Sequence, residues 1–331
     1  MFHMRILGSG VIVCAALAGS LAQAQVKVAQ APDRVTVDIG GQPYTALYLG
    51  PETTKPYLHP LRSASGKIVT RRYPMEQVAG ETKDHPHHRG LWYSHGDVNG
   101  TDFWDTEPGE STHSGKIVLE RVTSVESGAK SGSIAAQFKW IDSKGKALLE
   151  DSRKYTFTPA QELRIIDFDI TMTALEKVTF GDTKEGTFAI RLAAGLEEPE
   201  KGQPTTPKRT GKMVNAQGAT GEDKVWGKRS EWVDHYGIVD GEEVGIAIFD
   251  CPLNPRFPTW WHSRAYGLFA ANPFGLHDFE PKAGKNGSLV LEPKQKLRFR
   301  YRVVIHHGDP QSAGIKSLYE AYRSRSTHGG S

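Results

Sequence analysis

Four of the thirteen histidines in the chain fall within eleven positions, in the segment DHPHHRGLWYSHGDVNGTDFW of residues 84–104. These histidines are His85, His87, His88 and His95. The same segment carries one arginine, three carboxylates and two tryptophans, a mixture that is costly to bury unless the polar groups find partners. Three kinds of site use such residues: a metal centre, an acid–base pair and a surface that stacks against a ligand. The structural alternative is that the histidines cap turns or satisfy buried polar groups.

Proton transfer near neutral pH is the first chemistry that the segment can support, because the pKa of imidazole lies close to that range. A histidine paired with a carboxylate can then move a proton between substrate atoms. The candidate catalytic residues are His87, His88, His95 and Glu185. Glu185 is the preferred carboxylate because it lies at a glycine-flanked turn in FGDTKEGTFAIRLA. Arg89 would hold a carboxylate, a phosphate or a developing oxyanion beside them.

A metal site is the alternative chemistry. If the segment His85-Pro86-His87 is extended, both imidazoles point to one side of the chain and present two nitrogen ligands to one ion. A third ligand must then come from another part of the fold. Its candidates are His306, His262, Glu185 and Asp97. This reasoning predicts one divalent metal ion, held by His85, His87 and His306.

The aromatic residues indicate which ligand such a site would take. Tryptophans stand beside polar and charged residues in the histidine segment, in WGKRSEW (226–232) and in PTWWHSRAYG (258–267). Flat apolar faces with polar edges are what a sugar ring needs. The predicted substrate-binding residues are Arg89, Trp92, Asp97, Trp104, Lys184, Trp226, His262 and Arg264. The structural alternative is that a large β-sandwich simply buries its tryptophans in the core.

The apolar residues that must position these groups alternate with a period of two along most of the chain. In RIIDFDITMTA (164–174), for example, the residues on one face are Ile166, Phe168, Ile170, Met172 and Ala174. This alternation is typical of half-buried antiparallel strands, and clusters of Gly, Pro, Asn and Asp separate the segments. The pattern predicts an all-β fold, a large antiparallel two-sheet β-sandwich.

One helix is predicted, at the C-terminus. Asp309 would cap it and Pro310 would occupy its first turn. Helical spacing follows at Ile315, Leu318, Tyr319 and Tyr322.

A long loop is predicted for residues 197–223, which are rich in proline and glycine and poor in large apolar residues. Loops of this length in a compact domain are commonly lids or insertions. We expect it to border the histidine site as a rim or lid. A linker between domains is the alternative.

Residues 1–24 have the pattern of a signal peptide, with a basic start, an apolar run and Ala22-Gln23-Ala24 as the cleavage site. The expected product is a periplasmic or secreted protein, a single domain of residues 25–331, with no membrane attachment after cleavage. It retains one cysteine, Cys251, so an internal disulfide is excluded. The small formal charge of +3 is scattered along the chain and does not indicate a nucleic acid partner.

Several of these motifs together resemble a bacterial family labelled methane oxygenase PmoA-like. The matching segments are HPHHRGLWYSHGDVNGTDFW, GDTKEGTFAIRLA, WGKRSEWVDHYG, NPRFPTWWHSRAYGLFAANPFG and HHGD. The resemblance implies a galactose-mutarotase-like β-sandwich and a partnership with sugar oxidoreductases. Its label conflicts with the sequence, because a membrane oxygenase subunit needs several spanning helices and no segment after residue 24 predicts one.

Together, these features predict an exported carbohydrate-active enzyme. It would act on a sugar, a glycoside or an oxidised (3-keto) glycoside by His/Glu proton transfer, in hydrolysis, β-elimination or epimerisation. The alternatives are a non-catalytic glycan-binding β-sandwich and a metal-dependent oxidase.

Overall fold

The computed structural model describes residues 25–109, 111–199, 209–281 and 284–328. The predicted signal peptide and the middle of the predicted loop, residues 200–208, lie outside these ranges. None of the helices within the described ranges is long and apolar enough to span a membrane.

The first of two large antiparallel sheets has eight strands in the order β1-β2-β3-β4-β5-β11-β16-β15. Its strands are β1 (Val26–Gln30), β2 (Arg34–Ile39), β3 (Gln42–Tyr48), β4 (Tyr57–His59), β5 (Leu91–His95), β11 (Gly186–Arg191), β15 (Trp260–Ser263) and β16 (Leu268–Asn272). Strands β5 and β11 pair antiparallel with Gly186 opposite His95, so the Glu185 turn lies beside the C-terminal end of β5, whereas the His85–His88 turn precedes its N-terminal end.

The second sheet also has eight strands, in the order β12-β13-β14-β18-β9-β8-β7-β6. Its strands are β6 (Lys116–Glu126), β7 (Gly132–Ile141), β8 (Ala147–Ala160), β9 (Leu163–Ala174), β12 (Lys212–Asn215), β13 (Trp232–Val239), β14 (Glu242–Asp250) and β18 (Lys296–His307). A separate pair joins β10 (Val178–Phe180) and β17 (Leu289–Leu291). The helical elements are a 3₁₀ turn (Ala194–Leu196), α1 (Glu222–Val225), α2 (Leu276–Phe279) and α3 (Ile315–His328).

The predicted all-β sandwich is confirmed, and the period of two explains it. On β9, the residues Ile166, Phe168, Ile170 and Met172 are buried in the core between the sheets, whereas the intervening residues are half-exposed. The same alternation on strands of both sheets places their apolar faces opposite each other, where they exclude water.

The predicted C-terminal helix is present, but it begins later than expected. Regular helix starts at Ile315, whereas Asp309 caps a preceding turn by accepting a hydrogen bond from the Ser312 N–H at 2.7 Å. Tyr319 and Tyr322 of α3 pack on Phe249 of the second sheet.

The predicted loop of residues 197–223 is wrong as an unbroken loop. Its Lys212–Asn215 segment is strand β12, which pairs with β13 at the edge of the second sheet, and Glu222 already belongs to α1. A four-residue edge strand carries too short an alternation to be read from the sequence.

An ion pair stabilises the core between the sheets. Asp151 and Arg153 lie on the inner face of β8, only 1% and 3% exposed. The Arg153 guanidinium donates two hydrogen bonds to the Asp151 carboxylate, at 2.9 and 2.7 Å. The Trp140 indole donates a third at 2.6 Å. The pair is therefore fully satisfied, which is the condition for a tolerable buried charge.

Asp151→Asn should cost about 3–5 kcal/mol of unfolding free energy, because it leaves a guanidinium buried without its counter-charge. Asp169→Asn is the matched control, since Asp169 pairs with Arg298 on the exposed face of the same sheet. That change should cost less than about 1 kcal/mol. Urea titrations of both variants measure the difference, and equal losses would show that burial of the Asp151 pair has no energetic consequence.

Candidate functional site

The outer face of the first sheet carries a second apolar layer, which we call the outer layer. It consists of Tyr57, Trp92, Trp104, Ala189, Leu268 and Ala270, all buried. Strand register explains how they meet, because Tyr57, Trp92, Ala189, Ala270 and His262 are successive cross-strand partners in one row. The neighbours of Trp92 along β5, Leu91 and Tyr93, point the other way into the core.

The histidine segment crosses the outer layer as a tight turn. The His88 N–H donates to the His85 carbonyl at 3.0 Å, and His85 has a φ of +44°. The predicted extended His85-Pro86-His87 segment is therefore wrong. Proline presets the φ that a turn requires at its second position, and the turn brings all three imidazoles together.

Four rings form a continuous column, which we call the imidazole stack: Trp92, His88, His85 and Tyr266. Neighbouring centroids are 5.3, 4.8 and 5.4 Å apart, and the two contacts of His85 are parallel within 2°. His87 lies edge-on to His88 at 4.3 Å, and its Nε2 is 3.0 Å from an Asp105 carboxylate oxygen. His87 and His88 are 4% and 1% exposed, whereas the His85 side chain is 42% exposed. His85 is therefore the histidine of this turn that a ligand can reach.

Asp84 ties the imidazole stack to two buried arginines. Its carboxylate lies 2.8 Å from Arg71 Nη1 and 2.9 Å from Arg191 Nη2, and it also contacts His85 Nδ1. Burial alone would raise the pKa of Asp84, but the His85 hydrogen bond and the charges of Arg191 and Arg71 hold it well below its usual value. Asp84 is therefore a carboxylate at neutral pH. It fixes the proton of His85 on Nδ1 and leaves Nε2 as the acceptor.

His88 accepts a hydrogen bond at the nitrogen through which His85 donates one. Its Nδ1 lies 3.2 Å from Arg191 Nη1, which can only donate. Burial, with the neighbouring His87 and Arg191 charges, lowers the pKa of His88 well below its usual value. His88 is therefore a neutral support for His85.

Glu185 and His262 lie beside the C-terminal end of β5. Lys184 Nζ lies 2.7 Å from the Glu185 carboxylate, and His262 Nδ1 donates to the Lys184 carbonyl at 2.9 Å. Burial lowers the pKa of His262 to about 3, so this ring is neutral. Burial raises the pKa of Tyr266 to about 12, and both the Glu185 and Asp84 carboxylates add to that shift.

Trp226 and Arg264 complete the accessible surface. The Arg264 guanidinium lies 5.8 Å from the Trp226 ring and 5.7 Å from the Tyr266 ring, and it pairs with Glu222 at 3.1 Å. The indole N–H groups of three tryptophans have no hydrogen-bond acceptor among the described residues. They are those of Trp92, Trp104 and Trp226.

Seven of the eight predicted substrate-binding residues therefore lie in or beside the outer layer. They are Trp92, Trp104, Lys184, Trp226, His262, Arg264 and Arg89, whose guanidinium lies 5.9 Å from the Tyr57 ring. Arg89 and the eighth residue, Asp97, already have partners. Arg89 donates to Glu107 at 2.7 Å, and Asp97 accepts the Gly100 N–H at 2.9 Å inside a local turn. Arg89 was expected to hold a substrate anion, but its guanidinium already binds the Glu107 carboxylate.

His95 is not part of the site. It is three residues from Trp92, an odd spacing that places its side chain on the core side of β5. Its Nε2 lies 2.8 Å from the Gly181 carbonyl, and burial lowers its pKa to about 4. The predicted convergence with His85 is wrong for this residue.

The predicted metal set is not assembled either. His306 lies on β18 of the second sheet, with its Nε2 2.8 Å from the Asp234 carboxylate. Among the described residues, no three His, Cys, Asp or Glu side chains are grouped as ligands of one ion. A spacing of i and i+2 could not reveal that the third residue belongs to the other sheet.

The Asp234–His306 pair predicts a pH-dependent stability. Burial alone would lower the pKa of His306, but the Asp234 carboxylate raises it above its usual value. The stabilisation is then full below about pH 6.5 and is lost as pH rises through the folded-state pKa. The stability difference between wild type and Asp234→Asn should shrink from pH 6 to pH 9. A difference that grows over this range, measured by urea titration, would contradict the assignment.

The described ends of the predicted 197–223 loop approach the site. Glu197 is 2% exposed and pairs with Arg209 at 3.0 Å. Burial raises the pKa of Glu197 to about 7, and the positive charge of Arg191 opposes this rise most strongly. At the other end, Glu222 accepts the Ala265 N–H and pairs with Arg264. Neither contact was visible in the composition of the segment.

The sequence missed Arg71, Asp84, Arg191 and Tyr266 as residues of the site. Asp84 stands first in the histidine segment but carries no motif of its own. Arg191 has the same parity as Ala189 on β11, so it lies on the outer face with the aromatic layer. The alternation could have indicated Arg191 only if the partner strand of β11 were known.

Comparison with protein families decides the relationship of the chain. The model of a family of unknown function, DUF6807, matches residues 34–320. The chain belongs to that family. The resemblance to the methane oxygenase PmoA-like family remains a prediction from motifs. No curated protein matches the chain.

Several solved structures align with most of this chain at low identity. An α-galactosidase from Lactobacillus brevis is 11% identical with a TM-score of 0.36; the match covers 88% of this chain and 40% of that one. A polysaccharide lyase is 12% identical with a TM-score of 0.39, over 88% and 35% of the two chains. A galactose mutarotase related enzyme from Lactobacillus acidophilus is 10% identical with a TM-score of 0.28, over 85% and 97%. This chain thus spans less than half the length of the α-galactosidase and of the polysaccharide lyase, so the evidence for its function is in its own residues.

Proposed function

We propose that the protein is a carbohydrate-active enzyme that binds a neutral sugar or glycoside over the outer layer and acts by proton transfer. The observation that carries this proposal is the half-exposed imidazole of His85, oriented by Asp84 and stacked between His88 and Tyr266. A carboxylate that holds one imidazole nitrogen fixes the other as a proton acceptor, as a general base requires.

The charges of the site favour an uncharged ligand. Lys184 already pairs with Glu185, Arg264 with Glu222, and Asp84 with the buried arginines. An anionic substrate would have to displace one of these carboxylates. Sugar hydroxyls can instead bind between paired charges, and the half-exposed rings of Trp226 and Tyr266 offer faces to sugar C–H groups.

His85 and Glu185 are two accessible groups that can contact such a ligand. His85 Nε2 would remove a proton, from a hydroxyl or from a carbon next to a carbonyl, and the imidazolium so formed would return it to the substrate. The Glu185 carboxylate would accept a hydrogen bond from a substrate hydroxyl. Lys184 keeps Glu185 in place, and Arg264 would donate to a sugar oxygen. The predicted His87 and His88 act here as supports, because both are almost fully buried. The step uses only side chains of the chain.

The reaction would be a hydrolysis, a β-elimination or an epimerisation. The signal peptide would export the enzyme, and a partner sugar oxidoreductase would supply a 3-keto glycoside. A non-catalytic glycan-binding protein is the alternative, because the half-exposed ring of Trp226 could hold a sugar without any reaction.

Proton NMR of the purified protein in D₂O tests the proposal. The panel contains neutral glycosides, their 3-keto derivatives and uronate-terminated glycosides. We expect conversion of a neutral or keto compound, with deuterium at any carbon that is deprotonated. Saturable binding without conversion of any compound would favour the glycan-binding alternative, and conversion of the uronates alone would refute an uncharged substrate.

A further inference from the structure

A cavity of about 370 Å³ lies away from the outer layer, where β3 and the loop after β4 approach the start of β9. Its lining contains two arginines and no carboxylate. The polar lining residues are Gln42, Tyr44, Arg62, Ser63, Ser65 and Arg164. This volume is within the range of small-molecule sites.

Neither arginine is neutralised. Arg62 is half-buried and has no hydrogen-bond or ion-pair partner among the described residues. Arg164 donates to backbone carbonyls, the shortest bond being to Leu163 at 3.0 Å, and it has no carboxylate partner in the described structure. Every arginine of the outer-layer site, in contrast, is paired with a carboxylate. Burial lowers the pKa of Arg164, as expected where a counter-charge is missing.

A buried hydroxyl provides the second observation. Tyr44 is 2% exposed, and its hydroxyl has no hydrogen-bond partner among the described residues. A buried polar group without a partner is costly, about 1–3 kcal/mol. Tyr44 lines the cavity together with Arg164, and the Arg164 charge opposes the rise in the Tyr44 pKa that burial causes.

Carboxylates are confined to the other side of Ser63–Ser65. A neighbouring cavity of about 320 Å³ shares these serines and Arg164, and it contains Glu162 and Glu242. Glu242 accepts the Ser65 hydroxyl at 2.6 Å, so that hydroxyl points towards the neighbouring cavity. The charge separation leaves the first cavity basic.

We propose that the first cavity is a binding site for a small oxyanion, a carboxylate or phosphate group on a small molecule. Arg62 and Arg164 bind its charge, and the Tyr44 hydroxyl donates a hydrogen bond to it. Guanidinium groups match the geometry of both oxyanions. This site does not depend on the sugar chemistry proposed for the outer layer. Anion binding is expected here even if the outer layer catalyses no sugar reaction.

Isothermal titration calorimetry at low ionic strength, with inorganic phosphate, glucuronate and methyl glucoside as separate probes, tests this site. We expect phosphate or glucuronate to bind with a Kd of about 1 mM or tighter, whereas methyl glucoside does not use this cavity. The probe that binds more tightly identifies the group. Arg62→Gln and Arg164→Gln should each weaken that binding at least about tenfold.

Arg298→Gln is the matched control, because Arg298 pairs with Asp169 on the exposed face of the second sheet, and its binding should equal that of wild type. Tyr44→Phe keeps the ring and should weaken binding without lowering the melting temperature. Failure of both anions to bind would overturn the proposal. So would anion binding that persists in Arg62→Gln and Arg164→Gln variants with wild-type melting temperatures.

Discussion

Asp84→Asn should cost about 3–5 kcal/mol of unfolding free energy and lower turnover about 10²–10⁴-fold. The stability falls because the guanidinium groups of Arg71 and Arg191, 1% and 0% exposed, lose the carboxylate that they share. Turnover falls because an amide can donate as well as accept, so it no longer selects the His85 tautomer with its hydrogen on Nδ1. Urea titration and the NMR assay measure the two effects separately.

Asp167→Asn is the matched control for this change. Asp167 has a similar exposure, 33% against 37%, and pairs with Arg302 on the second sheet. It should lose less than about 1 kcal/mol and keep full turnover. Because the pKa of Asp84 is lowered, its stabilisation is present above about pH 4 and is lost as pH falls towards the folded-state value. Equal stability of the two variants at pH 7 would contradict the role of Asp84.

His85→Gln should lower kcat/KM by about 10²–10⁴-fold while changing the stability by less than about 1 kcal/mol. The imidazole is half-exposed, so its loss leaves little cavity, but the proton acceptor is gone. Glutamine can still occupy the space beside Tyr266, so sugar binding should fall much less than turnover.

His307→Gln is the control, because His307 is an exposed histidine on the opposite sheet. Its kinetics should equal those of wild type. Wild-type kcat/KM in His85→Gln, together with a reduced value in His88→Gln, would move the catalytic role to the buried histidine that the sequence predicted.

The strands could be predicted from the sequence because the apolar residues of each strand repeat with the spacing of its buried face. Ile166 and Phe168 are apolar every second position for the simple reason that one face of β9 is buried. The edge strand β12 could not be predicted, since four residues with one buried face carry almost no pattern. Local periodicity is therefore informative only where an element is long enough to repeat it.

Composition indicated candidate residues but not their geometry. The histidine cluster and Glu185 were selected because unusual residues stand close together in the sequence. Whether His85 and His87 are extended or turned depends on the backbone of this segment, where His85 has a positive φ. The roles of Arg71 and Arg191 depend on strand neighbours that are distant in sequence. The prediction that His95 belongs to the site was wrong because proximity in sequence does not reveal which face of a strand a residue occupies.

The central claim, that His85 and Glu185 act on one substrate, is tested most directly by a double-mutant cycle. Initial rates are measured by proton NMR in D₂O for wild type, His85→Gln, Glu185→Gln and the double variant, with Glu243→Gln as a surface control. If the two groups act as a unit, the double variant should be no slower than the slower single variant. Losses that multiply, or a Glu185→Gln variant as fast as wild type, would contradict the account.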